Sequence, residues 1–297
     1  MTAHPLSRDM HGYGEHPPVF TWPGGGGRVA VSLVINVEEG AERSIARGDS
    51  ADDLGGHWLR HAPHPIQRNL DLESAFEYGA RAGIWRVLRT LRRHGATATA
   101  FCCVAALEAN PQIAHALVRD GHEIADHGRQ WDLHTHLSPA EERERILSSA
   151  DAITALTGER ATTWYSRDGL TLQSRAIMLD ADMLYESNSF NDDLPHAATD
   201  GLSLPVLPYA GDTNDSALLS QYPTAQAFRS YLSGALAELQ EDDRAGASVL
   251  SVGLHPRIIG RPAYIRALDD FLTEAGATAW IATRAQIVDA WQAAVAA

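Results

Sequence analysis

Arg28 to Val37 (RVAVSLVINV) is a nearly unbroken β-branched run, the pattern of a strand covered on both faces, and it follows a breaker cluster at Trp22 to Gly27. From Ser74 to His94 the apolar positions Ile84, Val87, Leu88 and Leu91 recur at i, i+3, i+4 and i+7. Arginines lie between them and Gly95 follows, which predicts an amphipathic helix. Ala96 to Val104 reads as a second strand, Asn110 and Pro111 open another helix, and Gly121 to Ala125 is a short third strand. Ser138, Pro139 and Glu141 form a capping box for a helix ending near Leu156. Further strands are expected at 162–165, 183–186, 204–208 and 248–254, with helices at 171–180, 224–239, 263–274 and 284–295. Alternation of this kind favours a parallel sheet with outer helices.

The 297 residues suit one α/β barrel, so the whole chain, 1–297, is expected to be a single catalytic domain. Residues 1–27 read as an N-terminal extension, and the Gly-, His- and Asp-rich stretch 39–71 as an irregular insertion that serves as a lid or oligomer contact. A hydrophobic share of 44% and a charged share of 21% argue against disorder. With 38 acidic against 24 basic side chains the net charge is −14, which argues against nucleic acid and anionic membrane as partners. No run is apolar enough to span a bilayer or act as a signal segment, so a cytoplasmic location is expected. The adjacent Cys102 and Cys103 read as buried free thiols.

Working residues of a parallel barrel sit at the carboxyl ends of its strands. Glu38 and Glu39 end the first strand, Asp126 and His127 the third, and Tyr165 to Asp168 the next. Asp212, Asn214 and Asp215 occupy a polar loop, and His255 ends the run SVLSVGL with Arg257 and Arg261 close behind. Histidine and paired acids at three strand ends point to proton transfer in a cleft. Glycines 24 to 27 lack the Lys-Ser/Thr of a phosphate loop, and there is neither a GxSxG elbow nor a CxxC pair.

The same positions resemble the polysaccharide deacetylase family. Asn36-Val-Glu-Glu-Gly40 stands where that family has Thr-Phe-Asp-Asp-Gly, Gly121 to His127 is similar to its Gly-His-Glu segment, and Ser251 to His255 to its late Leu-x-His motif. The wording is most similar to the allantoinase and cyclic imide hydrolase branch, through Gly12 to Gly14, Glu77 to Gly79, Arg81 to Gly83, Asn191 to Pro195, Asp212 to Asp215 and Gly260 to Pro262.

The resemblance implies a distorted (β/α)7 barrel that hydrolyses amide C–N bonds. In it Glu38 is the general base, Glu39 stands at the metal-binding Asp, His127 at the first His ligand, and His255 is the general acid. The second His ligand is replaced by Trp131, so the zinc site is incomplete as written. His134 is a substitute if residues 127 to 134 are helical. Two expectations stay open: no cofactor, or one divalent ion such as zinc held by Glu39, His127 and His134.

The expected activity is ring opening of a small neutral heterocycle, a cyclic ureide or imide. Asp126, Asp212 and Asn214 would read its urea-like edges, Trp131 would form a pocket wall, and Tyr165 and Arg167 would contact the substrate. Positive charge from Arg257 or Arg261, with backbone N–H groups near Tyr165, would stabilise the developing oxyanion. The alternatives are a zinc N-deacetylase acting on amino sugars and a non-catalytic binding protein. The branch also implies a homotetramer.

Overall fold

The computed structural model describes residues 8–25, 27–53, 67–167, 169–219, 224–242 and 246–296. Its centre is β1 (Val29–Val37), buried along its whole length. β6 (Ser248–Leu254) pairs with one edge of β1, parallel, from Val29 to Ile35. The other edge takes β7 (Trp280–Ala282) at its start and β2 (Thr99–Cys102) at its end. β3 (Glu123–Asp126) continues the parallel sheet beyond β2.

From β3 the wall continues through short bridges, Asp126 to Trp164, Glu186 to Val206, and Asn214 to Gly253 of β6, which return it to the first sheet. The architecture is a distorted (β/α)7-type barrel, as expected. The runs at 162–165 and 183–186 contribute bridges instead of ladders, and 204–208 contributes only β5 (Pro205–Val206), antiparallel to β4 (His196–Ala197). Strand propensity needs a neighbour at the correct height, and these segments meet theirs over only one or two residues.

Period-2 alternation sorts each strand. Val29, Val31, Leu33, Ile35 and Val37 face outward into the main apolar cluster with Leu88 of α2 (Ile84–Arg93), Leu117 of α4 (Pro111–Arg119), Leu232 of α7 (Ala225–Glu241) and Leu268 of α8 (Ile265–Thr278). Burial of such side chains contributes about 1.5–3 kcal/mol each. The alternate positions Ser32, Val34 and Asn36 point to the barrel axis. There Arg284, which opens α9 (Arg284–Ala296), donates to Ser32, Ser251 and the carbonyls of Leu207 and Pro208.

Several elements differ from the sequence pattern. The second strand covers only Thr99–Cys102, because Val104 opens a short helix, α3 (Val104–Ala109). The helix expected from Ser74 begins earlier, as α1 (Leu70–Tyr78) capped by Asn69, and joins α2 through a π-helical turn at Gly79–Gly83. A Cβ on Gly83 would overlap the Pro256 carbonyl, and one on Gly79 the Glu39 carboxylate, so this wide turn packs directly on the site. α1 therefore shortens the irregular stretch expected at 39–71. Its first part holds a 3-10 turn, Ile45–Arg47, and 54–66 lie outside the described residues. α5 (Pro139–Thr157) carries the expected capping box, and α6 runs over Ser174–Asp180. Cys102 and Cys103 are buried and free. No helix among the described residues is long and apolar enough to cross a membrane.

Candidate active site

The alternation that faces Asn36 inward carries Glu38 to the axis just past the end of β1. On β6 it does the same for Gly253 and His255, and after β3 for His127. The three side chains meet at one oxygen. His127 Nε2 lies 3.2 Å from Glu38 Oε1, and His255 Nε2 3.6 Å from the same atom. All three residues are buried, His255 the most exposed of them at 8%.

Each imidazole is aimed by its other nitrogen, the usual way a protein selects the working atom of a histidine. His127 Nδ1 donates to the Tyr165 carbonyl at 2.8 Å. His255 Nδ1 donates to Asp215 Oδ1 at 2.6 Å, and Asp215 Oδ2 accepts the backbone N–H of both His255 and Ile259.

The second oxygen of Glu38 belongs to Arg257. Its Nη1 is 2.8 Å from Glu38 Oε2 and 3.5 Å from Glu39 Oε1, while its backbone N–H donates to Glu39 Oε1 at 3.0 Å. The guanidinium is buried between the rings of Phe76 and Trp131, at 5.0 and 5.2 Å from their centroids. Burial alone would raise the Glu38 carboxyl, but the charges of Arg257 and His255 hold it well below the usual carboxylate range. For Glu39 burial prevails over Arg257 and, with the charge on Glu38, lifts it to about 7. Burial opposes the charged form of His255, yet the carboxylates of Glu38 and Asp215 outweigh it and raise the imidazole to about 9. An ionised carboxylate therefore sits beside a protonated imidazole, the charge states of a base and an acid.

Trp131 and Arg167 form the next layer. The Arg167 guanidinium stacks 3.6 Å from the Trp131 ring centroid, donates to the Trp131 carbonyl, and makes a two-pronged ion pair with the buried Asp53. Tyr165 is stacked on Phe101, with centroids 4.7 Å apart.

Other expected residues lie elsewhere. Asp126 faces outward, as the residue before an inward His127 must, and takes the Ser149 hydroxyl of α5 and the Gly128 N–H. Asp212 is exposed and bonded to Tyr231. Arg261 stacks on Tyr78 at 3.5 Å and donates to the Arg257 carbonyl. Asn214 reaches Tyr209 within the barrel. The segment from His127 to His134 is not helical, and His134 packs against Trp164, 3.4 Å from Asp132. Asp215 was not distinguishable in the sequence from its polar neighbours Asp212 and Asn214.

The donor set does not fit a divalent ion. Among the described residues no three His, Cys, Asp or Glu side chains are grouped to hold one. Both acids that would serve, Glu38 and Glu39, are engaged by the Arg257 guanidinium, a fixed cation in the same space.

Comparison with known proteins bears on this geometry. The sequence profile described as "Polysaccharide deacetylase" matches residues 71–183. A protein of Schizosaccharomyces pombe (strain 972), named among the polysaccharide deacetylases, is 30% identical over 312 residues, covering 97% of each chain. A crystal structure from Pseudomonas aeruginosa PAO1 whose name places it in the same group is 36% identical, with a TM-score of 0.90, and covers 96% of this chain and 98% of that one. The PuuE allantoinase structure is also 36% identical, with a TM-score of 0.89, and the match covers 96% and 97%.

Proposed function

The chain belongs to the polysaccharide deacetylase family, and from that premise we propose that it hydrolyses the amide bond of a small neutral ring, a cyclic ureide or imide. The observation that carries this reading is the pair of imidazole Nε2 atoms on one oxygen of Glu38, with Arg257 on the other. The likeness to an allantoinase over nearly the whole of both chains supports a ring amide as substrate.

Glu38, held ionised by Arg257, takes a proton from water as the water oxygen bonds to the carbonyl carbon. His255, held protonated by Glu38 and Asp215, gives a proton to the ring nitrogen as the C–N bond breaks. The products are a carboxylate and, on the same molecule, the primary amide (from an imide) or ureide (from a cyclic ureide) that keeps the former ring nitrogen. His127, with its Nε2 at 3.2 Å from the same Glu38 oxygen, orients that carboxylate. Arg257 supplies the permanent positive charge, and no step needs a metal.

The test is an activity panel on protein treated with a chelator: allantoin, hydantoin, succinimide, dihydrouracil and N-acetylglucosamine oligomers, repeated with added zinc. Ring opening in the presence of chelator is expected. Release of acetate from the oligomers, dependent on zinc, would replace this reading with an N-deacetylase.

A further inference from the structure

Inside the barrel, below Glu38 and His255, the buried Tyr209 places its hydroxyl between two amides. Asn214 Nδ2 lies 3.2 Å and Asn36 Nδ2 3.4 Å from Tyr209 Oη. Neither amide can be turned round. Asn214 Oδ1 accepts the Ser216 N–H at 2.9 Å, which leaves its NH2 for Tyr209. The Asn36 NH2 also faces the Leu254 carbonyl, which can only accept.

The phenol oxygen therefore receives two N–H bonds, and its single proton must go to a third partner. Among the described residues Tyr209 Oη has no hydrogen-bond acceptor. A buried donor without a partner costs about 1–3 kcal/mol, so one maintained by two amides calls for a ligand.

We propose that the Tyr209 hydroxyl donates its hydrogen bond to a carbonyl oxygen of the bound amide substrate. The proposal rests on the amide-hydrolase reading above. Asn36 is two residues before Glu38 on the same face of β1, and Asn214 directly precedes Asp215, which holds His255. The hydroxyl is thus tied to both halves of the acid–base pair. Gly253 makes the space: a Cβ there would overlap both Tyr209 Oη and the Asn214 amide. The ring is gripped by Tyr165 at 5.4 Å and Phe101 at 6.0 Å. Burial pushes the phenol above its ordinary value, so it remains protonated and donates without transferring its proton. Such a preorganised donor acts most strongly where negative charge develops on oxygen.

The test compares wild type, Tyr209→Phe and a protein with 3-fluorotyrosine at position 209 on the five amides of the panel. Tyr209→Phe also leaves the Asn214 amide without its acceptor, so it is expected to stay folded with a lowered thermal midpoint. At a temperature below that midpoint it should lose about 10²-fold in kcat, with KM changed by less than about threefold. The 3-fluorotyrosine protein, which retains the hydroxyl, should stay within about threefold of wild type. If wild type is active and Tyr209→Phe equals it, the Tyr209 assignment alone fails. An equal loss with 3-fluorotyrosine would also overturn it, since packing would then explain the effect. If wild type hydrolyses none of the five, the amide-hydrolase reading fails and takes the assignment with it.

Discussion

Asp126 and His127 are consecutive residues that face opposite sides of the barrel wall. His127 Nε2 meets Glu38 Oε1, while the Asp126 carboxylate turns outward to the Ser149 hydroxyl of α5. One step along an extended chain reverses the side, so only one of two adjacent acid–base side chains can join the site.

This separates their mutational effects. Asp126→Asn should leave kcat within about threefold, because its carboxylate bonds to the Ser149 hydroxyl of α5 and the Gly128 N–H, away from the site. Burial raises the Asp126 carboxyl to about 7, against an ordinary value of 3.8, despite its bonds from Ser149 and Gly128. The folded protein therefore binds this proton more tightly than the unfolded chain does. Wild-type stability should decline as pH rises from about 4 to 7, and Asp126→Asn should flatten that decline. Urea unfolding at pH 5 and pH 8 checks both statements.

The pH dependence of turnover should be bell-shaped. The acid limb lies below the usual carboxylate range because Glu38 does, and the alkaline limb lies near pH 9, where His255 loses its proton. Asp215→Asn removes one of the two carboxylates that raise His255, so the alkaline limb should move to lower pH by roughly one unit. His255→Ala should abolish that limb and lower kcat by about 10²–10⁴-fold. Profiles of kcat/KM for the three proteins decide this.

Arg257→Met leaves Glu38 and Glu39 buried without their counter-charge. The expected cost is about 3–5 kcal/mol of stability. The loss should be larger at pH 8 than at pH 5, since protonation relieves the repulsion at low pH. The acid limb of kcat/KM should rise because Glu38 loses the largest favourable charge acting on it. Denaturant titration and the pH profile test the two effects separately.

Gly83→Ala would drive a Cβ into the Pro256 carbonyl, which directly follows His255 and cannot turn aside as a side chain would. A loss of about 1–3 kcal/mol is expected, with a fall in kcat from displacement of His255. Gly79→Ala meets the Glu39 side chain instead and should be milder. Thermal unfolding and turnover of the two variants provide the comparison.

Much of the machinery was legible in the residues alone. The covered run ending in Glu38, the run ending in His255 and the short strand before His127 mark three strand ends, and a parallel barrel gathers its strand ends on one face. The capping box of α5 and the strand limits of β6 follow from local chemistry, which needs no distant partner.

Tertiary structure decided the rest. Which member of an adjacent pair faces the axis depends on register, so Asp126 left the site and Asp215, indistinguishable by type from Asp212, entered it beneath His255. Arg257 reads in sequence as a rim cation for substrate. It becomes the counter-ion of Glu38 only because β1 and β6 lie side by side. Periodicity is a property of a segment and is written locally. The partner of a buried charge is a property of the closed barrel, and no segment contains it.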